Sequence, residues 1–139
     1  MRRGARPPPP ALATAIRIVA WESQSGVPCA LRIDPDLRLP PGLELQLVRI
    51  IHEALANVRK HARAHRAEVQ VERAGGAVVA RVEDDGIGFN PDELDRAVQP
   101  RFGLATMRER AESVGGSVRL DSAPGRGTCV KVEIPLHAV

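Results

Sequence analysis

The chain has 139 residues, 43% of them hydrophobic and 27% charged, which suits one globular domain with a sizeable core. Its formal charge of +3 comes from Arg2, Arg3 and Arg6, because the acidic and basic residues balance in the rest of the chain. With only three aromatic residues and no apolar run of membrane-spanning length, composition argues against nucleic-acid binding and membrane contact. Cys29 and Cys129 have no metal-ligand spacing and are predicted to be reduced, buried thiols.

The first third of the chain predicts a flexible lead, a helix and a strand. Residues 1–10 are rich in arginine and proline and are predicted to be the lead. Residues 11–25 predict a helix, followed by a strand over 27–33 and a proline-containing loop over 34–42. The predicted buried face of the helix is apolar and consists of Leu12, Ile16, Val19 and Ala20.

Residues 47–62, LVRIIHEALANVRKHA, are predicted to form the helix around which the domain is organised. At about 100° per residue, its apolar side chains form a wide arc. The arc consists of Leu47, Ile50, Ile51, Ala54, Leu55, Val58 and Ala62. A polar stripe runs beside the arc and consists of Glu53, Asn57, Lys60 and His61. These four polar groups therefore lie at the edge of the core, where a pocket would open.

A hairpin and a loop follow the central helix. Alternating apolar residues predict strands over 67–71 and 78–82, with the turn at Gly75-Gly76. Residues 88–101 lack sustained periodicity and are predicted to be a mobile loop, with one short turn near residues 91–94.

The last third predicts an amphipathic helix over 104–114 and a final hairpin with strands around 118–120 and 130–134. Taken together, the order of the elements is helix, strand, long helix, two strands, helix, two strands. This order predicts a mixed sheet with its helices on one face, which is a two-layer α/β sandwich.

Three glycine-containing segments follow the central helix, and each also has an ordinary interpretation as a turn or a junction. Residues 84–88, DDGIG, end a strand, where a fixed carboxylate can accept a hydrogen bond from an exocyclic amine. Gly103 opens a helix, and free N–H groups at a helix start favour phosphate. Residues 125–128, GRGT, are typical of a hairpin turn.

The order of these segments is more specific than any one of them. HEALANVRKHA, DDGIGF, FGLATMRERA and GRGT resemble, in this order, the N, G1, G2 and G3 boxes of the GHKL ATP-binding superfamily. Within the superfamily they most resemble the catalytic ATP-binding domain of sensor histidine kinases of the nitrate/nitrite-sensor type. The resemblance covers roughly residues 40–135, and weaker similarity extends back to about residue 11. It implies the Bergerat ATP-binding fold and one catalytic domain over residues 11–139.

The resemblance implies roles for the polar stripe of the central helix. Asn57 matches the asparagine whose oxygen coordinates the Mg²⁺ that bridges the nucleotide phosphates. Glu53 matches the glutamate that activates water in ATPases and orients the metal shell in kinases. Lys60 and His61 match a basic pair near the phosphates. Glu53, Asn57 and Lys60 are therefore the expected catalytic residues, and Asn57 is the expected metal ligand.

The resemblance also implies an ATP-binding role for the glycine segments. Asp84 matches the aspartate that reads the adenine amino group. The other matched positions shape the pocket, form a hinge or lie beside the adenine, and are Gly86, Gly88, Gly103, Leu104, Gly127 and Thr128. Residues 89–102, between two of these glycines, are predicted to be a nucleotide-gated lid.

The chain departs from the family pattern in two respects. Thr106 stands where relatives usually have a glycine, and its hydroxyl could donate to a phosphate in place of a close backbone approach. Sensor kinases phosphorylate a histidine on a separate helical hairpin, and no histidine of this chain lies in a suitable long helix before the domain. The four histidines are His52, His61, His65 and His137.

The implied function is transfer of the ATP γ-phosphoryl group to an acceptor histidine on a dimerisation domain absent from this chain, for relay to a response regulator. The expected cofactors are ATP and Mg²⁺, and the isolated domain should turn over poorly. Two alternatives stay open: a freestanding serine kinase of the anti-sigma-factor type, and a non-catalytic nucleotide-binding module. We expect the domain in the cytoplasm, whether or not a longer parent chain is anchored in a membrane.

Overall fold

The computed structural model describes residues 11–93 and 103–136, so the predicted flexible lead over residues 1–10 lies outside the described part. In the described residues, five strands form one sheet that packs against four α-helices. The helices are α1 (Ala11–Ile16), α2 (Ile18–Ser25), α3 (Pro41–Asn57) and α4 (Leu104–Glu112), with a π-helical turn (Val58–Ala62) after α3 and a 3-10 turn (Pro91–Glu93). The strands are β1 (Cys29–Ile33), β2 (Ala67–Ala74), β3 (Ala77–Asp84), β4 (Ser117–Ser122) and β5 (Thr128–Pro135).

The sheet has the strand order β1-β2-β3-β5-β4. β1 runs parallel to β2, and the other neighbouring pairs are antiparallel. The parallel pair requires a crossover, and α3 supplies it. The register places Asp84 between Ala67 of β2 and Thr128 of β5. The predicted mixed sheet with helices on one face is confirmed.

The core lies between the sheet and α3. All seven residues of the predicted apolar arc of the central helix are buried. They pack against one face of the sheet, whose central residues are Val69, Val71, Val78, Ala80, Val82, Val130, Val132 and Ile134. On the opposite face, Arg32 pairs with Glu68 at 3.5 Å and Arg81 pairs with Glu72 at 3.4 Å. Such exposed pairs contribute little stability, so burial on the helix face holds the fold together.

The central helix begins six residues earlier than predicted and ends in a different helix type. Pro41 is in its first turn. The N–H groups of a first turn have no partner within the helix, so the missing N–H of proline costs no hydrogen bond there. The α-helix ends at Asn57, and residues 58–62 continue it as a π-helical turn. The predicted span of 47–62 is therefore helical throughout, but the prediction of one uniform helix is wrong at its C-terminal end.

The predicted helix over residues 11–25 is two helices. Arg17 takes a left-handed backbone conformation, with φ 55° and ψ 49°, and separates α1 from α2. The break resets the helical phase, so Val19 is 76% exposed, although the uniform pattern placed it in the core. Ala20 is exposed as well, whereas Trp21 is buried.

Two hydrogen bonds from side chains tie this corner to α3. The indole Nε1 of Trp21 donates to the Leu55 carbonyl at 2.9 Å. Nε2 of His52 donates to the Ile16 carbonyl at 3.0 Å. The segment contains neither glycine nor proline to mark the break, so the sequence gives no local signal for it, and these long-range contacts hold the two helices in place.

The remaining elements follow the sequence closely. The 3-10 turn over Pro91–Glu93 agrees with the predicted short turn, and residues 94–102 of the predicted lid lie outside the described part.

Both cysteines are free, but they are partly exposed and not buried as predicted. No helix in residues 11–93 and 103–136 has the length and apolar character needed to cross a bilayer.

Candidate functional site

A cavity of about 130 Å³ opens on the helix side of the sheet, where β3 and β5 meet the end of α3. Its walls are mostly aliphatic and include Val82, Ile87, Leu104, Leu120 and Val130. The polar groups on its walls are Asn57, His61, Asp84 and Thr128. An apolar cavity with a few convergent polar groups is the usual form of a site for a small organic ligand.

Asp84 brings a carboxylate to this cavity from the last position of β3. It is half-buried, and its Oδ1 accepts the Gly86 N–H at 2.8 Å. Burial raises the pKa of Asp84, and the charge of Asp85 adds to the effect, against the N–H groups of Gly86 and Thr128. A carboxylate can accept about four hydrogen bonds, so it keeps capacity for a donor on a ligand.

Asp85 is adjacent in sequence but serves the backbone. Its exposed Oδ1 accepts the N–H groups of His65 at 2.8 Å and Arg66 at 3.0 Å. These bonds lower the pKa of Asp85, with the Arg66 N–H as the largest cause. Asp85 therefore fixes the chain that leaves the π-helical turn, and it does not line the aliphatic cavity.

Two glycines allow chain segments to approach closely behind the cavity. A Cβ at Gly86 would collide with the Ala62 carbonyl, and a Cβ at Gly127 would collide with the Asp84 carbonyl. Gly127 also has φ 73°, a conformation that side chains disfavour. These positions need glycine because protein backbone crosses there. Gly88 lies on the cavity wall and has the same requirement, because a Cβ there would collide with the Ala123 carbonyl.

The polar stripe runs along α3 and the π-helical turn, and only two of its four residues line the cavity. Asn57 and His61 line the cavity, and Nε2 of His61 is buried. Glu53 lies against Gly103, so that its carboxylate occupies the position a Cβ there would take. Lys60 is exposed and does not line the cavity.

The structure thus brings six of the predicted site residues to one cavity: Asn57, His61, Asp84, Gly88, Leu104 and Thr128. It places the other predicted residues nearby. Gly86 and Gly127 pack behind the cavity, Glu53 and Gly103 meet at the start of α4, and Lys60 faces solvent.

Comparison with known proteins identifies the kind of domain. Residues 42–138 match the family described as histidine kinase-, DNA gyrase B-, and HSP90-like ATPase. The chain belongs to this family. Membership implies an ATP site, and the resemblance to the catalytic domain of sensor histidine kinases is confirmed.

The relatives of this ATPase domain include sensor proteins from staphylococci. Sensor protein VraS of Staphylococcus haemolyticus is 32% identical over 127 residues, which are 91% of this chain and 36% of that protein. VraS of Staphylococcus aureus is 34% identical over 102 residues, which are 73% of this chain and 28% of that protein. The chain therefore spans about a third of the length of these relatives.

Solved structures of histidine kinases share the fold. The blue-light activated histidine kinase of Erythrobacter litoralis EL346 matches with a TM-score of 0.75 and 21% identity, over 90% of this chain and 40% of that one. The mycobacterial sensor histidine kinase MprB matches with a TM-score of 0.68 and 22% identity, over 89% of this chain and 91% of that one. At these identities the likeness concerns the fold alone.

Ser122 lies beside the candidate site and was not predicted from the sequence. Its Oγ accepts the Phe89 N–H at 3.0 Å, donates to the Gly127 carbonyl at 2.9 Å and lies 2.9 Å from Thr128 Oγ1. Ser122 therefore holds two glycine segments together at the cavity wall. The signal that could have found it is its position directly across the final hairpin from Thr128.

Proposed function

We propose that this domain binds Mg-ATP and donates the γ-phosphoryl group to an acceptor histidine on a dimerisation domain elsewhere in its parent protein, for relay to a response regulator. The observation that carries the proposal is the half-buried Asp84 carboxylate in an aliphatic cavity whose other wall presents Asn57 and His61. Membership of the ATPase family and the similarity to sensor proteins support it.

The aliphatic end of the cavity fits the adenine base. Asp84 is the acceptor for the exocyclic amine, because its carboxylate lies on the cavity wall. The Gly86 N–H fixes the orientation of the carboxylate through Oδ1 and leaves acceptor capacity for the ligand. Val82, Ile87 and Val130 offer apolar contact to the faces of the base. Thr128 adds a hydroxyl beside the carboxylate for a ring nitrogen or a bridging water.

The other end of the cavity fits the phosphates and Mg²⁺. Among the residues that the structure describes, no cluster of three or more His, Cys, Asp or Glu side chains could hold a metal by itself. Mg²⁺ prefers oxygen ligands and is often held by few protein groups together with nucleotide phosphates. The amide oxygen of Asn57 fits this role, and the bound ion would neutralise charge on the transferring phosphoryl group.

The remaining predicted residues are proposed to act around the phosphates. Lys60 is exposed next to the cavity-lining His61, so its flexible ammonium can reach a bound phosphate as a counter-charge. Glu53, packed against Gly103, is proposed to orient the metal shell from the start of α4. Leu104 follows Gly103 in the first turn of α4, where free N–H groups favour an anion.

A reconstitution experiment tests this proposal. The purified domain is mixed with radiolabelled ATP, Mg²⁺ and the separately expressed acceptor-helix domain of its parent protein. We expect acid-labile label on the acceptor domain, and no label when the acceptor histidine is replaced by glutamine.

The other outcomes separate the two alternatives. Acid-stable label on a partner protein would indicate a serine kinase. ATP binding by calorimetry without transfer to the acceptor would indicate a non-catalytic module. Failure to bind ATP at all would contradict the proposed function.

A further inference from the structure

We propose that Trp21 is a positioning residue for the nucleotide site, which acts through the Leu55 carbonyl on the π-helical turn that carries His61. This inference rests on the proposed nucleotide-binding function. Trp21 itself is not on the cavity wall, so any influence on the site must pass through α3.

The contact between α2 and α3 is buried and direct. Nε1 of Trp21 donates to the Leu55 carbonyl at 2.9 Å, across 34 residues of sequence. Trp21 is 8% exposed and Leu55 is 1% exposed. The same carbonyl also receives the Val58 N–H at the end of the α-helix. The Val58 N–H is shared between this oxygen and the Ala54 carbonyl, so the indole N–H is a donor from outside the helix at a carbonyl where the regular ladder ends.

This external donor lies just before the change of helix type. In an uninterrupted α-helix, the Arg59 N–H would donate to the Leu55 carbonyl. A side chain that donates into the ladder of a helix is one of the recognised causes of a local distortion, and π-helical turns are frequent at functional sites. Here the π-helical turn begins at Val58, which also donates to the Leu55 carbonyl, and ends at Ala62. Arg63 follows it with a left-handed φ of 51°.

The π-helical turn builds one wall of the cavity. Val58, His61 and Ala62 all line it. The Ala62 carbonyl also accepts the Ile87 N–H at 2.8 Å, so the turn positions the loop that follows Asp84. Return of residues 58–62 to α-helical geometry would rotate these side chains and move the Ala62 carbonyl, because fewer residues would then complete each turn.

A second tie between the same helices provides a matched control. Nε2 of His52 donates to the Ile16 carbonyl at 3.0 Å and holds the corner between α1 and α2 against α3. His52 lies nearly two turns before the π-helical turn and is not among the residues that line the cavity. Loss of this bond loosens the corner but leaves both donors at the Leu55 carbonyl in place.

The decisive variant replaces Trp21 with benzothienylalanine, which keeps two fused rings and substitutes sulfur for the indole N–H. Trp21→Phe is the simpler variant, and His52→Ala is the control. We expect the two Trp21 variants to raise the Kd for Mg-ATP about tenfold by calorimetry and to alter amide exchange over residues 58–62. His52→Ala should lower the thermal midpoint but change the Kd less than about twofold. An unchanged Kd in the benzothienylalanine variant, or equal losses in both kinds of variant, would overturn the inference.

A measurement on the unmodified protein gives a second test, which does not depend on a variant folding. Trp21 is the only tryptophan in the chain, so selectively excited emission reports on its surroundings alone. We expect saturating Mg-ATP to shift this emission, because the indole contacts α3 just before the π-helical turn and the turn itself lines the cavity. Binding seen by calorimetry without any change in emission would contradict the coupling. Absence of binding to the unmodified protein would instead contradict the proposed function, and amide exchange in the Trp21 variants would still test the contact.

Discussion

Asp84 and Asp85 are neighbouring acids in opposite surroundings. Asp84 is half-buried at the end of β3, where burial raises its pKa. Asp85 is exposed, and backbone N–H groups of Arg66 and His65 lower its pKa. The partly desolvated position of Asp84 on the cavity wall supports its proposed binding role, whereas the hydrogen bonds of Asp85 to the backbone account for Asp85.

Asp84→Asn should separate ligand recognition from folding. The amide oxygen of asparagine can still accept the Gly86 N–H, but its NH₂ group cannot accept from an adenine amine. We expect a loss of about ten- to a hundredfold in ATP affinity by calorimetry, with a thermal midpoint that does not fall, because the neutral amide avoids the cost of burying a charge. Asp85→Asn is the control and should leave the affinity unchanged. Unaltered affinity in Asp84→Asn would remove the adenine assignment.

The raised pKa of Asp84 also predicts a pH dependence. Because its folded-state pKa lies above the ordinary 3.8, the stability contribution of Asp84 is present at acid pH and is lost as pH rises through the folded pKa. The affinity for the adenine base depends on pH in the opposite direction, because only the ionised carboxylate is a full acceptor for the exocyclic amine. Adenosine affinity should therefore fall as pH drops toward the raised pKa, and Asp84→Asn should show a flat profile over that range. A wild-type profile as flat as that of the variant would contradict the assignment.

Asn57 is expected to act through the metal. Asn57→Ala removes an oxygen ligand, so ATP affinity should fall much more in Mg²⁺ than in EDTA. Paired calorimetric titrations of both proteins in the two buffers provide the measurement. An equal loss in both buffers would indicate a direct contact between Asn57 and the nucleotide.

Helices and strands whose apolar residues recur at a regular local spacing are predicted correctly from the sequence. The apolar arc of α3 and the alternation of the β2–β3 hairpin each have a local period, and both are observed. The break at Arg17 and the π-helical turn have no local signal. Both depend on contacts between residues that are far apart in sequence, such as that of Trp21 with Leu55, and single-sequence patterns do not contain such contacts.

The end of the π-helical turn offers a test of backbone strain. Arg63 adopts φ 51° and ψ 43°, a left-handed conformation that costs a side-chain-bearing residue roughly 1 kcal/mol. Arg63→Gly should therefore raise the free energy of unfolding by about 0.5–1 kcal/mol in denaturant titrations. Arg49→Gly, on the exposed face inside α3, should lower it by about 1 kcal/mol. If both variants are destabilised equally, Arg63 is not strained.

At the scale of the whole molecule, the candidate site lies where the two layers separate. The helices cover one face of the sheet, and the cavity opens between the end of α3, the last residues of β3 and the first residues of β5. The order of four short motifs along the chain predicted most of this site, because each motif falls at a strand end or a helix end. Ser122 escaped prediction because no motif contains it; its role follows from its pairing with Thr128 across the final hairpin and from the Phe89 N–H, which is distant in sequence.

The same architecture predicts the behaviour of the two thiols. Cys29 lies on the helix face of β1, and Cys129 lies on the opposite face of β5. Three strand spacings separate β1 from β5, or roughly 14 Å, which exceeds the reach of a disulfide of about 7 Å between Cα atoms. We therefore expect oxidation of the folded protein to form no intramolecular disulfide.

The thiols should also react slowly in the folded protein. Burial raises the pKa of each from 9.0 to about 11, with Glu22 adding to the effect at Cys29 and Glu83 at Cys129. Their contribution to stability is thus present below pH 9 and is lost as pH rises through about 11. Near pH 8 the thiolate fraction is about a hundredfold lower than in the unfolded chain, so a disulfide reagent should react about a hundredfold faster in denaturing urea. Single replacements of Cys29 and Cys129 by alanine assign the two rates, and equal rates in folded and unfolded protein would show that neither thiol is protected by the sheet.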